Sequence, residues 1–210
     1  MKSGQTASLK SKEEVKALLE DYLPAVGVDI LRRVDKDETW GFWVKFGEFP
    51  LLIENPKVTS YVVVAFQITL SDEAVIRKLN EFYEKQDRAF LFELTRIFTT
   101  PHSGFIRIIE SGRVIGFTVL KNIYPFHPGF TIKDLDSALQ NVVGVGDVGI
   151  AFLQSVMGKV SVDHTPTRPA TEPGPMYEEA VVRDRYPFSD RGVDSTGGLT
   201  GPGTSGYTQQ

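Results

Sequence analysis

The chain contains no cysteine among its 210 residues. That excludes disulfides, thiolate zinc sites, iron–sulfur ligation and cysteine nucleophiles. Histidine is scarce too: there are three, and no two stand at the helical spacing of a zinc site. Excess positive charge is also missing. With 23 basic and 27 acidic residues the net charge is −4, which argues against a mainly electrostatic nucleic-acid binder. Long apolar runs are absent by eye. The most hydrophobic stretch, Tyr61 to Leu70, is about half a bilayer-spanning length and is interrupted by Gln67. Met1 to Lys10 is polar and small-residue rich, without the apolar core of a signal peptide. These absences lead to the expectation of a soluble, cytoplasmic protein with no cofactor, no metal and no membrane partner.

Composition changes sharply near Gly158. Of the 52 residues from Lys159 to Gln210, 24 are Gly, Pro, Ser or Thr and only seven are Leu, Ile, Val or Phe. So little apolar surface does not offset the entropy of ordering the chain, and the expectation is a disordered tail. Within it, Tyr177, Val181, Val182, Tyr186 and Phe188 interrupt the polar background. They form either a slightly less polar linker or a short linear motif that orders on a partner or on the body. The expected organisation is therefore a flexible amino terminus (1–10), a folded body (11–158) and a tail (159–210).

In the body, Ser11-Lys12-Glu13-Glu14 is a capping box, and Val15, Leu18, Leu19 and Tyr22 follow at helical spacing. Alternation of period two then marks strands around Val28 to Val34, Trp40 to Phe46, Phe49 to Glu54 and Val62 to Leu70. The period changes after Ser71. Ile76, Leu79, Tyr83, Phe90, Leu94 and Ile97 keep one helical stripe, which predicts a single helix from Asp72 to about Phe98, weakest around Gln86-Asp87. A hairpin of Phe105 to Ile109 and Val114 to Ile123 follows, turning at Glu110-Ser111-Gly112-Arg113. A second capping box at Thr131 opens a last helix. The order α-β-β-β-β-α-β-β-α, with short turns between strands, predicts an α+β fold: an antiparallel sheet with helices on one face.

Few constellations suggest chemistry. Gly144-Val145-Gly146-Asp147-Val148-Gly149 is a literal G-x-G-x-x-G, yet a helix precedes it and the tail follows within about ten residues, leaving no room for a βαβ unit. It reads as a break between two helices, its glycines allowing a tight turn or a close backbone approach. His102 and His127 lie in loops, so an enzyme would need an unrecognised pocket near them. Glu54-Asn55-Pro56-Lys57 contains the E-x-K half of some nuclease signatures, but its proline indicates a turn. No catalytic residue is assigned. Alternation places Trp40, Phe42 and Phe46 in the core and turns Trp43, beside Lys45, to the opposite face. There it is either a lone exposed aromatic or part of a contact surface for a subunit or partner.

This element order resembles the type III secretion chaperone-like fold, including YbjN-type and related archaeal proteins. The likeness is carried by the stripe Leu79 to Ile97, by Gly104-Phe105-Ile106-Arg107-Ile108, by the hairpin at Glu110 to Val114 and by the capped helix at Thr131. The glycines at 144, 146 and 149 and the long tail depart from that pattern. The resemblance implies a small acidic homodimer that binds a segment of another protein without catalysis or cofactor. The leading expectation is a non-enzymatic protein-binding module, a chaperone or adaptor, whose partner is another protein or a second copy. Its candidate contact residues are Trp43, Tyr177, Val181, Tyr186 and Phe188. A structural or assembly component of a virus or filament, using the tail to clasp a neighbour, is the alternative. An enzyme near His102 and His127 is the other.

Overall fold

The computed structural model describes residues 8–36, 39–56 and 59–163. The tail positions Tyr177, Val181, Tyr186 and Phe188 lie outside the described residues. Helix α1 (Lys12–Ala25) opens on the expected box: the Ser11 amide and hydroxyl both donate to the Glu14 carboxylate, at 2.6 and 2.8 Å. Four strands follow, β1 (Val28–Lys36), β2 (Thr39–Phe46), β3 (Phe49–Asn55) and β4 (Val62–Leu70). Then come α2 (Glu73–Glu84), α3 (Arg88–Phe98), β5 (Gly104–Glu110), β6 (Arg113–Ile123), α4 (Ile132–Met157) and the short β7 (Val162–Asp163). The fold is α+β, with every strand pairing antiparallel in the order β1-β2-β3-β4-β6-β5. Residues 160–163 belong to this body and not to the tail: Val160 is buried, and β7 pairs with Thr69 and Leu70 at the end of β4.

Registers settle which side chains share a face. Phe42 stands opposite Ile53, Ile53 opposite Val64, Phe66 opposite Val119 and Ile68 opposite Phe117. All of these side chains are buried, and each helix meets this same face. Lys16 of α1 lies over the Trp40 ring at 5.8 Å, and Tyr83 of α2 beneath the Arg107 guanidinium at 5.6 Å. Phe98 of α3 stacks on Phe117 at 5.1 Å, and α4 sets Gly146 against Phe66.

Two helical expectations are corrected. The single helix from Asp72 to Phe98 is two helices. Gln86 adopts φ +49°, and Asp87 caps α3 by accepting from the Phe90 amide at 3.1 Å. In an unbroken helix Phe82 and Phe90, eight residues apart, would be separated by about 12 Å along the axis. The break instead folds Phe90 back onto Phe82, with ring centroids 4.1 Å apart, and onto Phe152 at 5.7 Å. Conversely, the expected break at Gly144 to Gly149 does not occur, and α4 is continuous over 26 residues. A Cβ on Gly146 would sit 2.2 Å from the Phe66 ring and one on Gly149 would sit 2.2 Å from the Phe98 ring. These glycines serve close packing, the second of the two roles read from the motif. By length and composition α4 would also cross a bilayer, but here its apolar stripe (Leu135, Leu139, Val142, Leu153) is buried in the core.

Candidate protein-interaction surface

With all four helices on one side, the reverse face of the sheet carries no helix among the described residues. Two rows of side chains cross it. One runs Arg32, Trp43, Leu52, Ala65, Leu120. The adjacent one runs Val34, Gly41, Glu54, Val63, Asn122. Ile106, opposite Thr118, and Ile108, opposite Gly116, extend the apolar area onto β5. For a sheet face without a helical cover this is an apolar composition, since a solvated antiparallel face ordinarily alternates to polar residues.

Trp43 does point to this face, as alternation requires, but it does not protrude. It is 7 % exposed, so the expectation of an exposed tryptophan is overturned. Arg32 and Leu52 flank it in the same row. Its indole Nε1 is buried without a hydrogen-bond acceptor, a state that costs about 1–3 kcal/mol for a neutral donor. One row away, Glu54 is half-buried and has no hydrogen bond or ion pair among the described residues. Burial pushes its carboxyl above the ordinary carboxylate range. Sequence reading passed over Glu54 except as half of a spurious nuclease pattern. No local pattern marked it: its place opposite Gly41 and Val63 comes from strand pairing.

The sign of the Glu54 shift gives a test. A carboxyl whose folded-state pKa is raised opposes folding above that pKa, and the penalty vanishes below its ordinary value of 4.5. Glu54→Gln is therefore expected to raise the melting temperature in dilute solution at neutral pH, with the gain disappearing in acid. Glu14 behaves oppositely. The Ser11 amide and hydroxyl hold its carboxyl below the ordinary range, so its contribution is present above 4.5 and lost as pH falls through the lowered value. Melting curves of Glu54→Gln and Glu14→Gln across pH should diverge in these two directions.

The loops hold less. A cleft of about 320 Å³ is lined by Lys121, Tyr124, His127, Phe130, Asp134 and Ser137, among others. His102 is not part of that lining. The Asp134 carboxylate accepts the Thr131 amide and hydroxyl, each at 2.7 Å, and these bonds hold its pKa below the ordinary range. The wall carboxylate is thus committed to capping α4. The loop itself is tied down from outside: Lys10 Nζ donates to the His127 carbonyl at 2.8 Å, and the Lys10 amide donates to the Phe126 carbonyl at 2.9 Å. Among the described residues no group of three His, Asp or Glu side chains is placed to hold a metal ion.

No protein-family model and no curated protein matches the chain. Among solved structures, the fold is similar to that of an uncharacterized protein from Methanothermobacter thermautotrophicus, at 14 % identity and a TM-score of 0.57, covering 69 % of this chain and 99 % of that one.

Proposed function

We propose that the protein is a non-enzymatic binding module, a cytoplasmic chaperone or adaptor, that engages protein through the reverse face of its sheet. The observation carrying this reading is the pair of half-buried leucines, Leu52 and Leu120, in one row with the buried Trp43 and Ala65, on a face with no helix over it among the described residues. Burying the part of this row that is still in water stabilises a complex by about 25 cal/mol per Å² of apolar surface removed. Sheets of this kind recruit partners through their faces or through open edges, and among the described residues both outer strands, β1 and β5, pair on one side only.

Position-specific cross-linking in the native source tests the reading. A photo-reactive phenylalanine at Leu120 is expected to form covalent adducts with protein. The same group at Gln140, on the solvent side of α4, is expected to form none. Adducts at 120 no more abundant than at 140 would overturn it.

A further inference from the structure

The cleft between the end of β6 and the start of α4 is walled by two opposite charges that do not pair with each other. Lys121, opposite Val64 on the helix-covered face, is half-buried and has no hydrogen bond or ion pair among the described residues. Asp134, exposed on the first turn of α4, spends only Oδ2 on the Thr131 cap, which leaves Oδ1 unbonded among the described residues. Its lowered pKa keeps the carboxylate ionised at neutral pH. The separation of the two groups follows from how α4 lies on the sheet. Gly146 sits against Phe66, the partner of Val119, and Gly149 against Phe98, which stacks on Phe117, so α4 runs antiparallel to β6. From that crossing Lys121 lies two residues along β6, about 7 Å, and Asp134 twelve residues back along α4, about 18 Å. Their Cα atoms are therefore roughly 10 Å apart along the cleft. Apolar side chains, Ile123, Phe130 and the half-exposed Tyr124, line the same space.

A ligand with a single charge would satisfy one end of this cleft and meet a like charge at the other. A zwitterion with adjacent charges, such as an ordinary α-amino acid, would reach only one of the two groups. We propose that the cleft binds an ω-amino carboxylate, its carboxylate on the Lys121 ammonium, its methylene chain on Ile123 and Phe130, and its ammonium at Oδ1 of Asp134. The Lys121 side chain spans part of the gap, and charges about six bonds apart, roughly 7 Å when extended, span the rest. The ring of Tyr124, level with Asp134, offers the ammonium an aromatic face. The Ser137 hydroxyl, exposed one turn further along α4, offers the carboxylate a donor. At about 320 Å³ the cleft is at the lower end of the range for small-ligand sites. This chemistry has two sources: a free ω-amino acid, and a lysine at the carboxyl end of a polypeptide, whose two charges have the same separation. The cleft lies on the helix side of the sheet, so the proposal stands whether or not the reverse face binds protein.

Titration of the full chain with ε-aminocaproate, followed by two-dimensional nitrogen–proton NMR, tests the proposal. Saturable amide shifts centred on Lys121 to Tyr124 and on the first turns of α4 are expected. Norleucine, the isomer with both charges at one end, is expected to bind about 10-fold more weakly or worse. Caproate and hexylamine, each lacking one charge, should fall by a similar factor. Lys121→Met keeps the apolar stem and removes the charge. It is expected to weaken ε-aminocaproate binding about 10- to 100-fold, to leave hexylamine binding unchanged and to leave the melting temperature close to that of the wild type. Absence of saturable shifts, equal affinity for the two isomers, or undiminished binding by Lys121→Met overturns the proposal. Nα-Acetyl-lysine separates the sources. Binding at least as tight as that of ε-aminocaproate supports a polypeptide end, and its rejection while ε-aminocaproate binds supports a free ω-amino acid.

Discussion

Gly149→Ala is expected to destabilise the protein, whereas Gly144→Ala, five residues earlier in the same helix, is expected to stabilise it. Helix propensity alone favours alanine at both sites by about 1 kcal/mol. At Gly149 the new Cβ would meet the Cε1 and Cζ atoms of Phe98 at 2.2 Å. Phe98 has no freedom to withdraw: it is 0 % exposed and packed against both Phe105 and Phe117. Overpacking of this kind costs about 1–3 kcal/mol, and a contact this short belongs at the upper end, so the net effect is a loss of about 2 kcal/mol. At Gly144 nothing lies within 4 Å of the added carbon and the site faces solvent, leaving only the gain. Denaturant midpoints of the two variants should move in opposite directions. Phe98→Leu added to Gly149→Ala should cost less than the sum of the two single changes, because the first removes the ring that the second strikes. Equal shifts at 144 and 149 would show that α4 does not lie this close to the sheet.

A loss of similar size is expected from Asn80→Ala. Near the start of β6, Val114 lies beyond the last β4 residue paired to that strand, Thr69, which stands opposite Gly116. The Asn80 side chain takes the place of the missing strand there. Its Oδ1 accepts the Val114 amide at 2.9 Å, and its Nδ2 donates to the Val114 carbonyl at 2.9 Å. Nδ2 also donates to the Ile76 carbonyl at 2.7 Å, which fixes the amide's orientation. Val114 is 6 % exposed, so alanine at position 80 leaves a shielded backbone donor and acceptor unpaired, at a cost of about 2–3 kcal/mol. Asn80→Asp keeps the acceptor and loses the donor, and should fall between. Hydrogen exchange at the Val114 amide provides the specific check: strong acceleration in Asn80→Ala and little change in Asp. A uniform loss of protection across β6 instead would mean that Asn80 acts only through general packing.

Both sites show where local sequence carries information and where it does not. The capping boxes at Ser11 and Thr131 were legible because their partners lie three residues apart, so the chain itself brings them together. The strands were legible for the same reason, since a two-residue period marks a face regardless of what covers it. The α2–α3 break was harder to see. Tyr83 and Phe90 are seven residues apart and keep the helical phase across it, so the periodicity runs straight through the turn at Gln86. The glycines of α4 were read as a break between two helices, which the structure does not show. Their phase held the answer, since Gly146 and Gly149 continue the buried stripe through Leu139, Val142 and Leu153 while Gly144 falls off it. Of the candidate contact residues, alternation placed Trp43 on the correct face, but its burial depends on neighbours that only pairing supplies. Glu54 became a candidate only once β2 and β4 were known to flank it with Gly41 and Val63.

The sequence by itself therefore determined element type, the sides of each strand and the absence of thiol chemistry, all of which depend on residues a few positions apart. Tertiary structure alone decided that, among the described residues, four helices crowd one face and leave the other without a helix. It also decided that Arg32 and Glu54, 22 positions apart, share that second face without meeting. Strand order and register fix such distances, and they are set by the burial of Phe66, Phe98 and Phe117 beneath α4 and not by any local pattern around the charges themselves.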